Sequence, residues 1–176
     1  MGVKNIFKRY ELKFMLTTQQ YIQLKELMKK YMQGDEFGKS TICNLYFDTP
    51  DYLLIRHSIE KPVYKEKLRL RSYGTPKNDS TVFAELKKKY KSVVYKRRIG
   101  MSEQDAMKFL CERNPVKDTQ ITREIDYFLD FYNNPKPTVY LSYEREAFFS
   151  KTDSDFRMTF DRNILWRDYD LSLCKG

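Results

Sequence analysis

The stretch from Tyr64 to Arg98 repeats with a period of two residues, and this period constrains the fold more than any other feature of the chain. It predicts β-strands, because successive side chains on a strand point to opposite faces of the sheet. The stretch divides into three strands, joined by the polar loop 74–79 and the short basic loop 88–92. Each strand has a largely apolar face and a charged, mainly cationic face. The cationic positions are Lys65, Lys67, Arg69, Arg71, Lys87, Lys96 and Arg98.

Further segments show the same alternation and predict additional strands. These are residues 6–15, 41–48, 138–149 and 156–164. Helical spacing of apolar residues instead predicts four helices. The first begins at Thr17 or Thr18 and stops at Gly34, a short one follows Asp51 as its cap, a third begins at Ser102, and the fourth spans residues 119–132. The sequence therefore predicts an α+β fold with seven or eight strands, mostly linked as hairpins.

The charged faces of these strands carry many more cations than acids. A solvated face normally mixes the two signs, because like charges on neighbouring strands repel each other. Only Glu11, Glu85 and Asp161 accompany the cations, so an anionic ligand explains the excess better than water does. The ten cations are Arg9, Lys13, Lys67, Arg69, Arg71, Lys87, Lys96, Arg98, Arg145 and Arg157.

The composition of the chain limits its domain count, its partners and its cellular location. The chain has 176 residues, a length that suits one domain, and a formal net charge of +9. That charge favours a nucleic acid, a phosphorylated metabolite or a membrane surface as partner. The three cysteines and single histidine form no metal-binding or redox spacing, which is typical of reduced thiols and a cytoplasmic location. No apolar run reaches the length of a membrane span.

Seven short motifs, in order along almost the whole chain, resemble the VTC domain. This family is the polyphosphate-polymerase branch of the triphosphate tunnel metalloenzyme, or CYTH-like, superfamily. The motifs are RYELKF at 9–14, NLYFDTPDY at 44–52, KLRLRSYG at 67–74, FAELKKK at 83–89, YKRR at 95–98, YEREAFF at 143–149 and RMTFDRNI at 157–164.

The resemblance implies an antiparallel β-barrel with flanking helices, whose tunnel is lined with Lys and Arg and binds a triphosphate. By motif, Arg69, Arg71, Lys87 and Lys96 would be the catalytic cations. The complete phosphate-binding set would be Lys13, Arg69, Arg71, Lys87, Lys96, Arg98, Arg145 and Arg157.

The resemblance also implies a divalent metal, Mg²⁺ or Mn²⁺. Glu11 and Glu85 are the weak candidates for its ligands, and ion pairing with neighbouring cations explains these acids better. Family members continue with an acidic strand resembling ILEVK and a helix resembling SFSKY, whereas this sequence ends in LSLCKG. We therefore expect residues 1–176 to form a single domain that lacks its last strand and helix, either as a fragment or as a natural short form.

Three functions remain open at this point. The first is a polyphosphate polymerase that transfers phosphoryl groups from ATP to a growing chain. The second is a non-catalytic sensor of polyphosphate or inositol polyphosphate, and the third is a triphosphate hydrolase. The expected ligands are ATP or another triphosphate, and polyphosphate. A possible partner is a fused or associated membrane or regulatory subunit. Specific nucleic-acid binding is not expected.

Overall fold

Seven strands form one antiparallel sheet in the order β1-β5-β4-β3-β2-β6-β7. The protein is described by a computed structural model that covers residues 6–114, 117–153 and 155–175, with residues 6–9 described by their backbone. The elements are β1 (Ile6–Tyr10), α1 (Thr18–Met28), β2 (Met32–Asp48), α2 (Leu53–Ile59), β3 (Tyr64–Tyr73), β4 (Thr81–Tyr90), β5 (Val93–Ser102), α3 (Glu103–Glu112), α4 (Gln120–Phe131), β6 (Lys136–Ser150), β7 (Arg157–Arg167) and a 3₁₀ turn (Leu173–Lys175).

The expected α+β antiparallel architecture is confirmed. Strands β3, β4 and β5 pair as successive hairpins, as the two-residue period predicts. The sheet does not close into the β-barrel that the resemblance implies: β1 and β7 lie at its two edges, and no pairing joins them within the described residues.

The main core lies on one face of the sheet, under the helices. Leu68 and Leu70 of β3 are fully buried there, as are Ala84 and Leu86 of β4. Helices α3 and α4 cover them with Ala106, Phe109, Leu110, Ile125, Phe128 and Leu129. Burial of these side chains fixes which face of each strand points inward, because a slip of one residue would expose the whole apolar set. The cationic side chains must therefore lie on the opposite face.

A second, smaller core holds α1 against the β2–β6–β7 end of the sheet. Met28 and Met32 are buried there with Phe160 of β7. Lys25 of α1 donates a hydrogen bond to Glu146, whose other oxygen accepts one from Arg162. These contacts place α1 on the face that Glu146 and Phe160 share, opposite to that of Arg145 and Asp161, since side chains alternate along a strand.

Several predicted boundaries differ from the structure. β4 extends through Tyr90 into the predicted loop 88–92, and β7 continues to Arg167. The larger differences are in β1, α1 and β2. β1 ends at Tyr10 rather than at residue 15, because Tyr10 pairs with Val93 and β5 begins there, which leaves residues 11–15 without a partner strand. α1 ends at Met28, and Gly34 lies within β2, which is 17 residues long. β2 is longer than the predicted strand 41–48 because β6 pairs with it at both ends.

The sequence predicts N-cap residues for three helices, and the structure confirms two of them. Thr17 and Ser102 cap α1 and α3, as predicted. Asp51 does not cap α2: its N-cap position is Tyr52, and the first N–H groups of the helix donate instead to Asp48 and Thr49. Asp51 accepts a hydrogen bond from Thr49 and forms an ion pair with Arg56.

Candidate phosphate-binding face

The register of β3, β4 and β5 arranges the charged side chains in rows across the sheet. Lys67 lies directly opposite Lys87, and Lys87 lies directly opposite Lys96. The next row joins Arg69, Glu85 and Arg98. We call this surface the cationic face and define it by Lys67, Arg69, Arg71, Glu85, Lys87, Lys96 and Arg98. Three lysines in direct register repel one another, so the arrangement is costly unless an anion lies over it.

Glu85 is the internal counter-charge of the cationic face. It is fully buried and lies between two strands that carry cations. Its Oε2 accepts hydrogen bonds from Arg69 Nε at 2.9 Å and Nη2 at 2.7 Å, and its Oε1 accepts one from Lys96 Nζ at 3.0 Å. Burial alone would raise the pKa of Glu85, but Arg69, Arg71 and Lys96 outweigh it and lower the pKa to about 2. Glu85 therefore remains a carboxylate throughout the physiological pH range.

Arg71 is buried and is held by side chains from two other strands. Its Nε donates to Asn44 Oδ1 at 2.9 Å on β2, and its Nη2 donates to the Tyr143 hydroxyl at 3.0 Å on β6. Glu85 lies 3.9 Å away. Burial lowers the pKa of Arg71, and the charge of Arg69 lowers it further. A buried guanidinium with one distant carboxylate is a strong potential partner for a phosphate oxygen.

Tyr46 extends the cluster onto β2. Its hydroxyl accepts a hydrogen bond from Arg69 Nη1 at 2.9 Å. Burial opposes ionisation of this phenol, yet the neighbouring Arg69, Arg71 and Lys67 lower its pKa overall. The three cations therefore outweigh burial at this hydroxyl.

The three lysines of the row have different partners. Lys96 donates to Glu85, and Lys87 donates to Glu11 at 2.7 Å. Lys67 forms no ion pair with an acid in the described parts of the chain. Burial is the main cause that lowers the pKa of all three, and that of Lys96 falls to about 8.

The structure brings some predicted phosphate ligands together and separates others. Arg69, Arg71, Lys87, Lys96 and Arg98 share the cationic face. Arg98 lies 4.8 Å from the centre of the Phe83 ring. The side chain of Arg9, which the sequence also placed on a charged face, is not among those described.

The remaining three predicted ligands lie farther from the centre of the cationic face. Lys13 lies outside the sheet with its side chain 83% exposed, 3.9 Å from Glu11. Arg145 forms two hydrogen bonds to Asp161, at 2.6 and 2.7 Å, across β6 and β7. Arg157 lies at the start of β7, where its contact is Asp35 at 3.8 Å. The charge of Arg145 contributes to lowering the pKa of Arg71.

The carboxylates at the site do not fit a metal held by the protein. Glu85 is enclosed by Arg69 and Lys96, and Glu11 pairs with Lys87. A metal ion placed on either carboxylate would meet these ammonium and guanidinium groups. Within the described residues, no group of three or more His, Cys, Asp or Glu side chains could hold a metal ion. The ion-pair interpretation of both acids agrees with their contacts.

Four residues of the site were absent from the ligand set that the sequence predicted. Lys67 is among the cations that the sequence identifies, whereas Asn44, Tyr46 and Tyr143 are uncharged and the sequence does not assign them to the face. Alternation along β2 gave a usable signal for two of them, since Asn44 and Tyr46 alternate with Cys43, Leu45 and Phe47 of the core. Their partners on β3 follow only from the register of β2 with β3.

Comparison with solved structures finds similar chains. A protein from Bacillus halodurans, proposed to be an adenylate cyclase, matches with a TM-score of 0.50 and 15% identity, over 92% of this chain and 81% of that one. A similarly described protein from Vibrio parahaemolyticus has a TM-score of 0.41 and 12% identity, over 91% and 70%. A Hippeastrum protein, proposed to be an adenylyl cyclase and described as having a dominant triphosphatase activity, has a TM-score of 0.45 and 11% identity, over 90% and 78%.

An α+β fold with an open antiparallel sheet is the class of structure that this chain shares with the Bacillus halodurans protein. Within that class, the chain belongs to the VTC domain family, whose model matches residues 8–175. No curated protein matches the sequence. No helix in the described ranges is long and apolar enough to cross a membrane.

Proposed function

We propose that the cationic face binds the triphosphate of ATP and the phosphates of a polyphosphate chain, and that the domain is of the polyphosphate-polymerase type. The observation that carries this proposal is the register of Lys67, Lys87 and Lys96 beside Arg69 and Arg71. Glu85 and Glu11 offset only part of this charge, so a polyanion that lies along the rows removes the repulsion that remains.

The proposed phosphoryl transfer depends on the positions and charges of the cations that would hold the phosphates. A terminal phosphate oxygen of the polyphosphate chain would attack the γ-phosphorus of ATP while the bond to the β-phosphate oxygen breaks, leaving ADP and a chain longer by one phosphate. Arg69, Arg71, Lys87 and Lys96 would hold the phosphates in line and stabilise charge on the transferred group. A divalent ion, which the family implies, finds no fitting ligands among the described residues of the cationic face, so no step is assigned to it.

The ion pairs of Glu85 and Glu11 favour a second candidate, a domain that binds polyphosphate or inositol polyphosphate without catalysis. The carboxylates that could have held a catalytic metal are occupied by cations. Incubation with ATP, a polyphosphate primer and Mn²⁺ separates the functions. Polymer growth supports the polymerase, and tight polyphosphate binding without growth supports the sensor. Phosphate release without growth supports a triphosphate hydrolase.

Calorimetry with ATP and tripolyphosphate tests the site itself. Arg69→Ala and Arg71→Ala should each weaken binding at least about tenfold, since a hydrogen bond to a charged group contributes about 1.5–3 kcal/mol. Arg56→Ala is the matched control, because Arg56 is exposed on α2. Arg71 is buried, so Arg71→Lys, which keeps the charge but removes the planar fork, should be measured as well, with thermal melting to verify folding. Unchanged affinity in folded variants would reject the proposed site.

A further inference from the structure

A cavity of about 630 Å³ lies on the helix-covered side of the sheet, between α2, α4 and the start of β3. None of the described residues that line it belongs to the cationic face. Glu66 and Leu68 of β3 point to this side, because they alternate along the strand with Lys67 and Arg69. The volume falls within the range of about 300–1,000 Å³ that is typical of small-molecule sites.

Aromatic side chains form the walls of this cavity. They are Tyr64, Tyr127, Phe128, Phe131 and Tyr132. The rings of Tyr127 and Phe131 stack with their centres 6.1 Å apart, and each residue is 67% exposed. Tyr132 meets Phe131 edge to face at 4.9 Å. Grouped and exposed aromatic rings indicate a binding surface, because soluble proteins rarely leave a contiguous apolar patch uncovered.

A carboxylate lies in the lining together with these rings. The side chain of Glu66 is only 12% exposed. Its Oε1 accepts a hydrogen bond from the Tyr64 hydroxyl and lies 4.0 Å from Lys88 Nζ. No hydrogen bond to its Oε2 is present in the parts of the chain that the structure describes. Glu66 therefore has one oxygen available to a ligand.

Lys88 does not compensate fully for the burial of Glu66. Burial raises the pKa of Glu66, and the charge of Lys88 opposes this shift without reversing it. The side chain of Lys88 is 32% exposed, so its ammonium can remain in solvent when another cation approaches Glu66. Burial also raises the pKa of Tyr132, and the charge of Glu66 raises it further, so this ring lies near the carboxylate. A cation in the cavity would supply the charge that Glu66 lacks.

The other charged groups of the lining leave room for a cation. Lys65 Nζ donates a hydrogen bond to the carbonyl of Ser58 at 2.9 Å, and Glu60 adds a second acid at the end of α2. The rows of cations lie on the opposite side of the sheet. Because the Debye length is about 8 Å at physiological ionic strength, their repulsion of a cation in solvent is largely screened.

We propose that this cavity binds a small organic ammonium ion, with its charged nitrogen among the aromatic rings and beside Glu66. The faces of aromatic rings attract cations, and the apolar walls suit the carbon atoms that surround an organic ammonium nitrogen. A metal ion would need several oxygen ligands, which the lining does not offer. The site is separate from the proposed phosphate-binding site, since the two lie on opposite faces of the sheet.

An NMR titration with choline and 3,3-dimethylbutan-1-ol at constant ionic strength tests the proposal. The alcohol has the shape of choline, but a neutral carbon replaces the charged nitrogen. Choline should bind at least about tenfold more tightly than the alcohol, and its methyl resonance should move upfield as the methyl groups approach the ring faces. Equal binding of the two probes, or absence of choline binding, would overturn the proposal.

Two variants test the residues that carry the site. Glu66→Gln and Tyr127→Ala should each weaken choline binding about tenfold and leave tripolyphosphate affinity unchanged. Thermal melting verifies that both variants fold, and Tyr127 is exposed, so its replacement keeps the test available if Glu66→Gln is unstable. Glu26→Gln and Tyr169→Ala, at exposed positions elsewhere, are the matched controls. Unchanged choline affinity in either folded variant would overturn the assignment.

Addition of tripolyphosphate separates this site from the cationic face. Choline should bind equally well with and without saturating tripolyphosphate, because the two ligands occupy opposite faces of the sheet. Choline binding that requires tripolyphosphate would overturn the inference, since choline would then pair with the bound phosphates. A protein that binds choline but not tripolyphosphate would support this site and reject the proposed function.

Discussion

Arg69 donates two hydrogen bonds to a single oxygen of Glu85, and the other oxygen of Glu85 accepts one from Lys96. One buried carboxylate thus holds cations from β3 and β5 on either side of β4. This arrangement keeps the cationic face ordered before any ligand binds. It also makes Glu85 a competitor of the ligand for the same donors.

Glu85→Gln should lower the free energy of unfolding by about 3 kcal/mol, because it leaves Arg69 and Lys96 without their counter-charge. It should also raise the affinity for tripolyphosphate, since the ligand no longer competes with a carboxylate. Urea unfolding and calorimetry measure the two effects. Glu26→Gln, on the exposed surface of α1, is the control. A variant with unchanged stability would contradict the role of Glu85 as the central counter-charge.

Acid should unfold the protein in a window set by Glu85. Its folded-state pKa of about 2 lies below the ordinary value of 4.5, so its contribution to stability is complete above about pH 4.5 and is lost as the pH falls through about 2. Unfolding measured at successive pH values between about 5 and 2 should show a steeper loss of stability for wild type than for Glu85→Gln. Parallel curves would show that other carboxylates cause the loss.

Lys96 should make triphosphate binding sensitive to alkaline pH. Its pKa is lowered from 10.5 to about 8, so it loses its charge between about pH 7 and 9, and ATP affinity should fall in that interval, where the terminal phosphate is already ionised. Lys96→Arg should flatten the profile, since Arg stays charged, and Lys30→Arg is the surface control. The stability of the protein changes in the opposite direction. Between about pH 8 and 10.5, Lys96 is less protonated in the folded state than in the unfolded state, so its contribution to the free energy of unfolding rises with pH there. A Lys96→Arg profile identical to wild type would assign the titration to another group.

Lys67→Gln should separate stability from binding. Removal of this charge relieves repulsion with Lys87, so the free energy of unfolding should stay constant or rise by up to about 1 kcal/mol. Tripolyphosphate affinity should fall about tenfold at the same time. Lys30→Gln should change neither quantity. A Lys67→Gln protein that binds tripolyphosphate as wild type does would remove Lys67 from the site.

Arg145 should contribute less to binding than Arg71. Asp161 already accepts two hydrogen bonds from Arg145, whereas Arg71 has neutral partners and one carboxylate at 3.9 Å. We expect Arg145→Ala to weaken tripolyphosphate binding by less than about threefold and Asp161→Asn to strengthen it, because the substitution frees the guanidinium. If Arg145→Ala matches the loss in Arg71→Ala, then Arg145 exchanges Asp161 for the ligand.

Much of the cationic face could be predicted because it depends on local geometry. The two-residue period of β3 and β4 separates Arg69 and Arg71 from Leu68 and Leu70 whatever the neighbouring strands are. The boundaries that failed depended on partners instead. Residues 11–15 alternate as a strand does, yet β5 provides no residues beyond Val93 for them to pair with, and a strand needs a partner for its backbone hydrogen bonds.

The sequence by itself determined which side chains face the helices and which form the cationic face, since burial of Leu68, Leu70, Ala84 and Leu86 admits one orientation of each strand. Only the tertiary structure decided which charges meet. Pairing of β2 with both β3 and β6 brings Tyr143 to Arg71 across 72 residues of sequence, and the register of β4 places Glu85 between Arg69 and Arg98. The two-residue period determines on which face of the sheet a side chain lies, but the hydrogen bonding between strands determines which side chains lie next to it.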